Sequence, residues 1–286
     1  MIHADLHTEI IEPKNSRFNL RIKELWHYRD LLKMFVKRDF IATYKQTLLG
    51  PLWFFIQPIL TTLMFTIVFG KLGGFSTDDQ PKILFYFAGV TIWNYFSDCF
   101  NKTSTVFKDN AQIFGKVYFP RLLTPLAIVV SGLIRFGIQF SLFMVIFAYY
   151  YFQTGSHVHP TPYVLLTPLL IILMAGFALG AGMIISAMTS RYRDLIFLVS
   201  FGIQLLMYAT PIIYSVASLK AKNPAYAKYA MLNPLSGVVE TFRFAYLGSG
   251  TFSWSALGYS TGCMLLLLLY GTYIFNKVEK TFMDTV

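Results

Sequence analysis

The hydrophobic pattern begins with a segment between residues 22 and 40, where apolar residues recur at the spacing of a helix. The apolar positions are Leu25, Tyr28, Leu32, Phe35, Val36 and Phe40. The cationic residues lie largely on the opposite side, and Trp26 belongs to the same segment. A helix with one apolar face, one cationic face and aromatic residues is typical of a membrane surface. The pattern therefore predicts an N-terminal amphipathic interface helix.

The pattern then changes at Gly50 and Pro51, which permit a bend and the first turn of a new helix. Residues 52–70 carry no charge, and about 20 apolar residues cross a bilayer. Six such spans are predicted, at residues 52–71, 83–103, 122–150, 163–188, 196–215 and 254–276. We therefore expect an all-α integral membrane protein with six transmembrane helices in a single domain over residues 1–286. Its parts are the N-terminal region 1–50, the six-span region 51–276 and the tail 277–286.

Charge sets the expected orientation of these spans. Only 13% of the residues are charged, whereas soluble domains have about 25%. Most of the 24 Lys and Arg residues flank the spans on the side of the N-terminus and tail. The positive-inside rule therefore predicts that both termini are cytoplasmic. The net charge of +10 is explained by orientation and anionic membrane lipids, so nucleic acid is not an expected partner.

The segment 216–253, on the predicted external side, differs from a plain loop. It contains helical runs on both sides of Asn233 and Pro234, and Pro234 can end one helix and start the next. The runs are too short to span a bilayer, which indicates two short re-entrant or interfacial helices. They could form a moving lid or a fixed external cap.

Polar residues inside the spans are few. Asn94, Asp98 and Asn101 share one face of the second span, and Arg135 lies deeper in the third. Ionisable groups inside membranes usually face protein or water and often pair. The sequence favours a structural polar contact between helices. A direct Asp98–Arg135 bridge is less favoured, because the estimated depths of the two residues differ.

The two predicted cytoplasmic loops carry candidate docking residues. In the first, Phe107, Ala111 and Phe114 alternate with Lys108, Asp109 and Gln112, which predicts a turn or two of amphipathic helix. The second is short and charged, at Arg191, Arg193 and Asp194. The first loop is either a docking surface or a turn lying on headgroups. The second is either a topology anchor or a further contact for the same partner.

Catalytic motifs are absent from the sequence. It has no GxxxxGK[ST], no HExxH, no paired CxxC and no GxSxG, and its two cysteines lie in apolar stretches. We therefore expect no catalytic residue, metal site or bound cofactor in this chain. A membrane-embedded transferase would need a clustered acid–base set, and an ion channel would need a ring of charge or a carbonyl filter. If the protein is a transporter, its energy comes from another chain.

Several segments together resemble one transporter family. They are RDF…YKQTLLGPLWFFIQP, AGVTIWNYF, KVYFPRLLTPLA, RYRDL, MYATPIIYS, NPLSGVVETFR and VEKTFMDTV, in this order over almost the whole chain. The chain resembles the permease subunit of ABC type-2 polysaccharide exporters, the Wzm-like O-antigen, capsule and teichoic-acid permeases. Permeases of the same fold that export a small drug or lipid are the alternative.

The resemblance implies a homodimer in the bacterial cytoplasmic (inner) membrane, with two copies of a separate ATPase that hold ATP and Mg²⁺. The substrate would be a lipid-linked glycan. The N-terminal helix would be a gate helix, and the short external helices an outer gate. The expected gate-helix residues are Trp26, Lys33, Lys37 and Arg38. The expected coupling residues are Phe107, Lys108, Asp109, Ile113, Phe114, Arg191, Arg193 and Asp194.

Two aromatic stripes are candidates for the channel lining that the resemblance implies. Helical spacing places Phe197, Phe201, Gln204 and Tyr208 on one face of the fifth span. Phe54, Thr61, Phe65 and Phe69 approximate a second face in the first span. Aromatic planes beside amide and hydroxyl groups suit the apolar faces and polar rims of sugar rings. The alternative is that these stripes face lipid or the core.

Overall fold

The computed structural model describes residues 22–45, 49–117, 119–153, 158–192 and 194–282, and within these residues it is helical and has no strand. The described part of the chain begins with α1 (Ile22–His27) and α2 (Arg29–Tyr44). The first span follows. It consists of a 3₁₀ turn (Gly50–Leu52), α3 (Trp53–Phe65) and a π-helical turn (Thr66–Leu72). Gly50 has φ +49°, so the predicted bend is present and uses a conformation that favours glycine.

The remaining helices are as follows. The middle part of the chain has α4 (Lys82–Thr103), α5 (Val106–Asp109), α6 (Ala111–Phe114), α7 (Leu123–Phe152), a 3₁₀ helix (Pro162–Leu166) and α8 (Thr167–Thr189). The last part has α9 (Leu195–Ala209), α10 (Val216–Lys222), α11 (Pro224–Leu232), α12 (Pro234–Leu247) and α13 (Trp254–Phe282).

Four helical segments within the described ranges are long and apolar enough to cross a membrane: Gly50–Leu72, Leu123–Phe152, Pro162–Thr189 and Trp254–Glu279. They match the first, third, fourth and sixth predicted spans. The second, α4, has polar residues in its C-terminal half, which lower its hydropathy. The fifth, α9, has 15 residues, fewer than the roughly 20 that a perpendicular span requires. The six helices exist, but length and composition support four as spans.

The helix α4 forms the centre of the fold. Every residue from Leu84 to Trp93 is buried, and the helix contacts α3, α7, α8, α9 and α12. The helices α8 and α13 pack tightly, because glycine allows backbone contact: a Cβ on Gly180 would lie 2.6 Å from the carbonyl carbon of Leu267. Small residues at helix interfaces allow such close approach in membranes.

The segment 216–253 contains three helices rather than the two predicted. Asn223 caps α11 and Asn233 caps α12 through their side-chain oxygens, and proline occupies the first turn of each helix. The sequence correctly predicts the break at Asn233 and Pro234. The third helix, α10, begins at the Ser215 cap. Most side chains of α12 are buried, so this helix is part of the core.

Candidate functional site

The N-terminal helix packs on protein with the face that the sequence predicts as membrane-facing. Leu25, Tyr28, Leu32 and Phe35 are partly buried against a cluster that includes Phe119, and the rings of Phe35 and Phe119 lie 5.5 Å apart. The apolar pattern is therefore real, but α7 and the first cytoplasmic loop cover much of this face. The physical reason is that an apolar helix face packs equally well on lipid or on an apolar protein surface.

The predicted gate-helix residues occupy two environments. Trp26 is 72% exposed, and Lys33 and Lys37 are also exposed. Lys33 pairs with Asp30 at 2.9 Å, and this partner lowers the pKa of the Asp30 carboxyl. Arg38 is partly buried. It pairs with Asp39 at 2.9 Å and lies over the ring of Phe35, 4.6 Å from its centroid. Arg38 therefore faces protein, unlike the two lysines.

The first cytoplasmic loop is anchored by its aromatic residues. Phe107 is fully buried and stacks on Phe275 of α13 at 4.5 Å between ring centroids, and Phe114 is 2% exposed and contacts Phe107 and Phe119. Ile113 is partly buried. These three side chains hold the loop on the helices, so the surface that a partner can reach includes Lys108, Asp109 and Gln112, which are exposed.

The second cytoplasmic loop lies beside the first. The Thr189 hydroxyl at the end of α8 donates to the Ser104 carbonyl at 2.6 Å, and the Phe107 amide donates to the Ser186 hydroxyl at 3.4 Å. Arg191 and Asp194, just beyond α8, are exposed, whereas the predicted residue Arg193 lies outside the described residues. The structure therefore brings the described candidate residues of both loops to one end of the molecule.

A polar ladder joins α4 and α7. Arg135 Nη1 lies 3.6 Å from Asp98 Oδ2, and Asn94 Nδ2 donates to Gln139 Oε1 at 3.4 Å. The structure therefore contains the direct Asp98–Arg135 pair that the estimated depths disfavoured. Depth estimated from span edges ignores the axial shift between neighbouring helices, which packing sets. Gln139 was missed by the sequence analysis, although its spacing of four from Arg135 is a helical-face signal.

A cavity of about 490 Å³ lies below this ladder, between α2, α4, the first cytoplasmic loop and α7. Its volume is within the range of small-ligand pockets, about 300–1,000 Å³. The polar residues that line it are Arg38, Asp39, Lys102, Asp109, Asn110 and Thr124. Sequence reasoning did not predict this cavity, because its walls come from four elements that are distant in the chain.

The fifth-span stripe is exposed on α9. Phe197 is 80% exposed, Phe201 57% and Tyr208 54%, and Gln204 is also exposed. The opposite face, with Ile203, packs on the protein. Leu198 and Leu205 are exposed too, so the accessible face of α9 in the single chain is wider than the predicted stripe.

The first-span stripe is less accessible. Phe54, Thr61, Phe65 and Phe69 are partly buried. Phe65 packs on Tyr86 of α4 with 6.2 Å between ring centroids, and Phe54 stacks on Phe40 of α2 at 6.4 Å. This stripe therefore lies mainly in helix contacts, and in the single chain the α9 stripe is the one that is open.

A buried arginine, which the sequence did not single out, holds the segment between α9 and α10. Arg243 is 1% exposed, donates to the carbonyls of Ile212 and Tyr214, and pairs with Glu240 at 3.2 Å. Its guanidinium also lies 3.8 Å from the ring centroid of Phe85. The segment between α9 and α10 is not helical, and Arg243 supplies donors for its carbonyls. The i, i+3 spacing of Glu240 and Arg243 was an available signal.

The helical architecture of the described residues and the long apolar helices define a multi-pass membrane protein. The two loops that carry the candidate coupling residues lie at one end of it. The sequence profile described as ABC-2 type transporter matches residues 30–247. Because this match covers more than half of the chain, the protein belongs to the ABC-2 type transporter membrane family.

Individual relatives narrow the comparison. The chain is 26% identical over 265 residues to the O-antigen export system permease protein RfbA of Myxococcus xanthus, a match that covers 93% of this chain and 98% of the relative. It is 28% identical over 256 residues to the RfbA of Klebsiella pneumoniae, covering 89% and 94%. It is 22% identical over 253 residues to the capsule polysaccharide export inner-membrane protein CtrC of Neisseria meningitidis serogroup B, covering 88% and 92%.

Proposed function

We propose that this chain is the permease subunit of an ATP-driven exporter that moves a lipid-linked, O-antigen-like polysaccharide across the bacterial inner membrane. The observation that carries the proposal is the near full-length similarity to permeases that are named for O-antigen and capsule polysaccharide export. ATP and Mg²⁺ are held by a separate ATPase, two copies of which serve a permease homodimer. Each permease crosses the membrane six times, and both termini are cytoplasmic.

Deletion of the gene in its own bacterium tests this function. We expect loss of one surface polysaccharide and accumulation of its lipid-linked form inside the cell, with restoration by the intact gene. A strain that keeps all its surface polysaccharides but becomes sensitive to a small toxic compound would support a drug or lipid exporter of the same fold instead.

The first cytoplasmic loop is proposed to couple ATP hydrolysis to transport. Its anchoring by Phe107 and Phe114 supports this role, because a rigidly held loop can transmit a push from a bound partner into α13 and α7. The exposed residues of the second loop lie at the same end and are proposed to contact the same ATPase. The packing of α2 on this loop gives the gate helix a direct connection to it.

Charge reversal on the exposed side of the loop tests coupling. We expect Lys108→Glu combined with Gln112→Glu to reduce co-purification of the ATPase about 5- to 30-fold, the effect of roughly 1–2 kcal/mol at an interface. Folding should be unchanged, since both side chains are exposed. The matched control is Lys220→Glu on α10, which is also exposed. Equal ATPase recovery from the loop variant and the control would contradict the proposal.

The α9 stripe is proposed to line the channel between two copies of the chain. In a background with Cys99 and Cys263 replaced by Ala, single cysteines are introduced at Phe197, Phe201, Gln204 and Tyr208. We expect a water-soluble thiol reagent to label these four positions in the assembled transporter, but not Leu198 or Leu205. The four stripe positions and the two leucines are all exposed in the single chain. A difference in their labelling would therefore arise from the assembly of two copies. Labelling without this periodicity, or none at all, would contradict the proposal.

A further inference from the structure

The helices α10 and α11 form a hairpin that packs mainly on itself. Within the described ranges, α10 packs extensively only on α11, and α11 otherwise packs mainly on α12. The buried side chains of the hairpin are Val216 in α10 and Ala227 and Ala230 in α11. A segment with few buried apolar contacts opens at a low cost in free energy. The helix α12, in contrast, buries most of its side chains and forms a fixed base for the hairpin.

Both ends of this hairpin are fixed to the rest of the chain. At the start of α10, the Val216 amide donates a hydrogen bond to the Glu240 carboxyl of α12. At the end of α11, the Leu232 carbonyl accepts a hydrogen bond from the Tyr259 hydroxyl of α13 at 2.9 Å. A hairpin that is fixed at its two ends and little packed between them can move as a flap, with these ends as its hinges.

The Asp78 carboxylate fastens the hairpin to the loop between the first span and α4. Its Oδ1 accepts a hydrogen bond from the Ser218 hydroxyl at 2.9 Å, and its Oδ2 accepts one from the Ser215 hydroxyl. Ser218 lies in the first turn of α10, just past the hinge at Val216, so its hydrogen bond opposes rotation about that hinge. Hydrogen bonds to an ionised acceptor are roughly twice as strong as those between neutral groups.

The loop that carries Asp78 has a strained backbone. Asp78 has φ +52° and Asp79 has φ +60°, which places two successive residues other than glycine in the left-handed region. Strain of this kind persists only where surrounding contacts hold it, and it is concentrated at functional sites and switch regions. Asp78 makes such contacts through its carboxylate, whereas the exposed Asp79 side chain makes no hydrogen bond with another described residue. Loss of the Asp78 contacts would therefore release the loop as well as the hairpin.

We propose that Asp78 is a latch. Its hydrogen bonds to Ser215 and Ser218 keep the hairpin of α10 and α11 closed, and their loss lets the hairpin swing away while α12 stays in place. This decides between the moving lid and the fixed cap that the sequence left open, because the segment 216–253 contains one part of each kind. Under the proposed function and orientation, the movement opens the external end for the departing glycan. The latch rests on the proposed function only for that last point.

Amide hydrogen exchange of the full-length permease in detergent, measured by mass spectrometry, tests the latch. Asp78→Gly and the matched control Asp79→Gly both relieve a left-handed backbone position, but only the first removes the carboxylate that holds α10. We expect Asp78→Gly to speed exchange in α10 and α11 about 10- to 100-fold, the effect of one hydrogen bond to a charged group, and to leave α12 unchanged. Asp79→Gly should leave both segments unchanged. Equal exchange in the two variants, or equal acceleration in α12, would overturn the proposal.

A change on the other side of the contact keeps the test decisive if Asp78→Gly does not fold. Ser218→Ala removes one of the two hydroxyl donors and should speed exchange in α10 and α11 several-fold. Added to Asp78→Gly, it should have no further effect, because the acceptor of its hydrogen bond is already absent. Normal exchange in Ser218→Ala, or independent effects of the two changes, would overturn the proposal.

A cross-link tests whether the movement serves export. In a background with Cys99 and Cys263 replaced by Ala, the changes Asp78→Cys and Ser218→Cys are combined and joined by a short reagent that reacts with two thiols. We expect export to stop, while Ser218→Cys alone with the same reagent should still export. Normal export by fully cross-linked molecules would overturn the proposed movement.

Hydrogen exchange in detergent does not depend on transport, so the latch and the proposed function fail separately. A chain whose exchange depends on Asp78 but that no surface polysaccharide requires keeps the latch and loses the function. A chain that polysaccharide export requires, but whose exchange ignores Asp78, keeps the function and loses the latch.

Discussion

Replacement of Arg243 by Met is expected to lower the stability of the folded protein by about 3–5 kcal/mol, the usual cost of breaking a buried ion pair from one side. Glu240, which is 2% exposed, would lose the partner of its buried carboxyl group, and the carbonyls of Ile212 and Tyr214 would lose a donor. For a chain of this size we expect the melting temperature in detergent to fall by about 6–20 °C.

Two variants show whether the lost pair is the cause. Arg191→Met removes the same charge from an exposed loop and should change stability by less than about 0.5 kcal/mol. Glu240→Gln, added to Arg243→Met, should recover part of the loss because it removes the unpaired buried carboxyl group. A melting temperature for Arg243→Met equal to that of Arg191→Met would refute the assigned role. Export by the Arg243→Met variant should fall together with its stability, since Arg243 fixes the segment between α9 and α10.

Replacement of Gly271 by Ala is expected to have the second large effect, because it separates α8 from α13. A Cβ at Gly271 meets the backbone carbonyl of Gly180, and backbone atoms cannot move aside as a flexible side chain can. Overpacking of this kind costs about 1–3 kcal/mol or more. The expected result is a lower melting temperature and lower yield of folded protein.

The same helix provides the control. Gly262 is also in α13, and a Cβ there meets nothing within 4 Å. Gly262→Ala should therefore be neutral or slightly stabilising, since Ala is favoured over Gly in helices by up to about 1 kcal/mol. Comparable melting temperatures for the two variants would mean that the α8–α13 contact is not as close as the structure indicates.

Local signals in the sequence predicted the helices well. The bend at Gly50, the helix start at Pro234 and the short helices near Phe107 and Phe114 all depend on neighbouring residues, and the structure contains each of them. The amphipathic face around Leu32 was also correctly recognised. The protein surface that covers this face was not recognised, because an apolar pattern shows only that a face avoids water and not what it packs against.

The candidate site was harder to predict. Residues such as Phe107 and Lys108 were assigned together to coupling, whereas the structure separates a buried anchor from an exposed neighbour. Arg243, Lys102 and Thr124 were not singled out. Their roles depend on contacts with residues far along the chain, such as Ile212 for Arg243, and spacing within one helix cannot report such contacts.

The sequence by itself predicted a helical membrane protein, the approximate bounds of its long apolar helices and the helix breaks at Gly50–Pro51 and Asn233–Pro234, because these follow from local backbone preferences and from the length of apolar runs. Only the tertiary structure decided the Asp98–Arg135 pair, the burial of Arg243 and the cavity beside Lys102. The physical reason is that 55% of the residues are hydrophobic and lipid is as apolar as a protein core. Apolar faces therefore do not distinguish helix contacts from lipid contacts, and the axial shift between helices is set by packing.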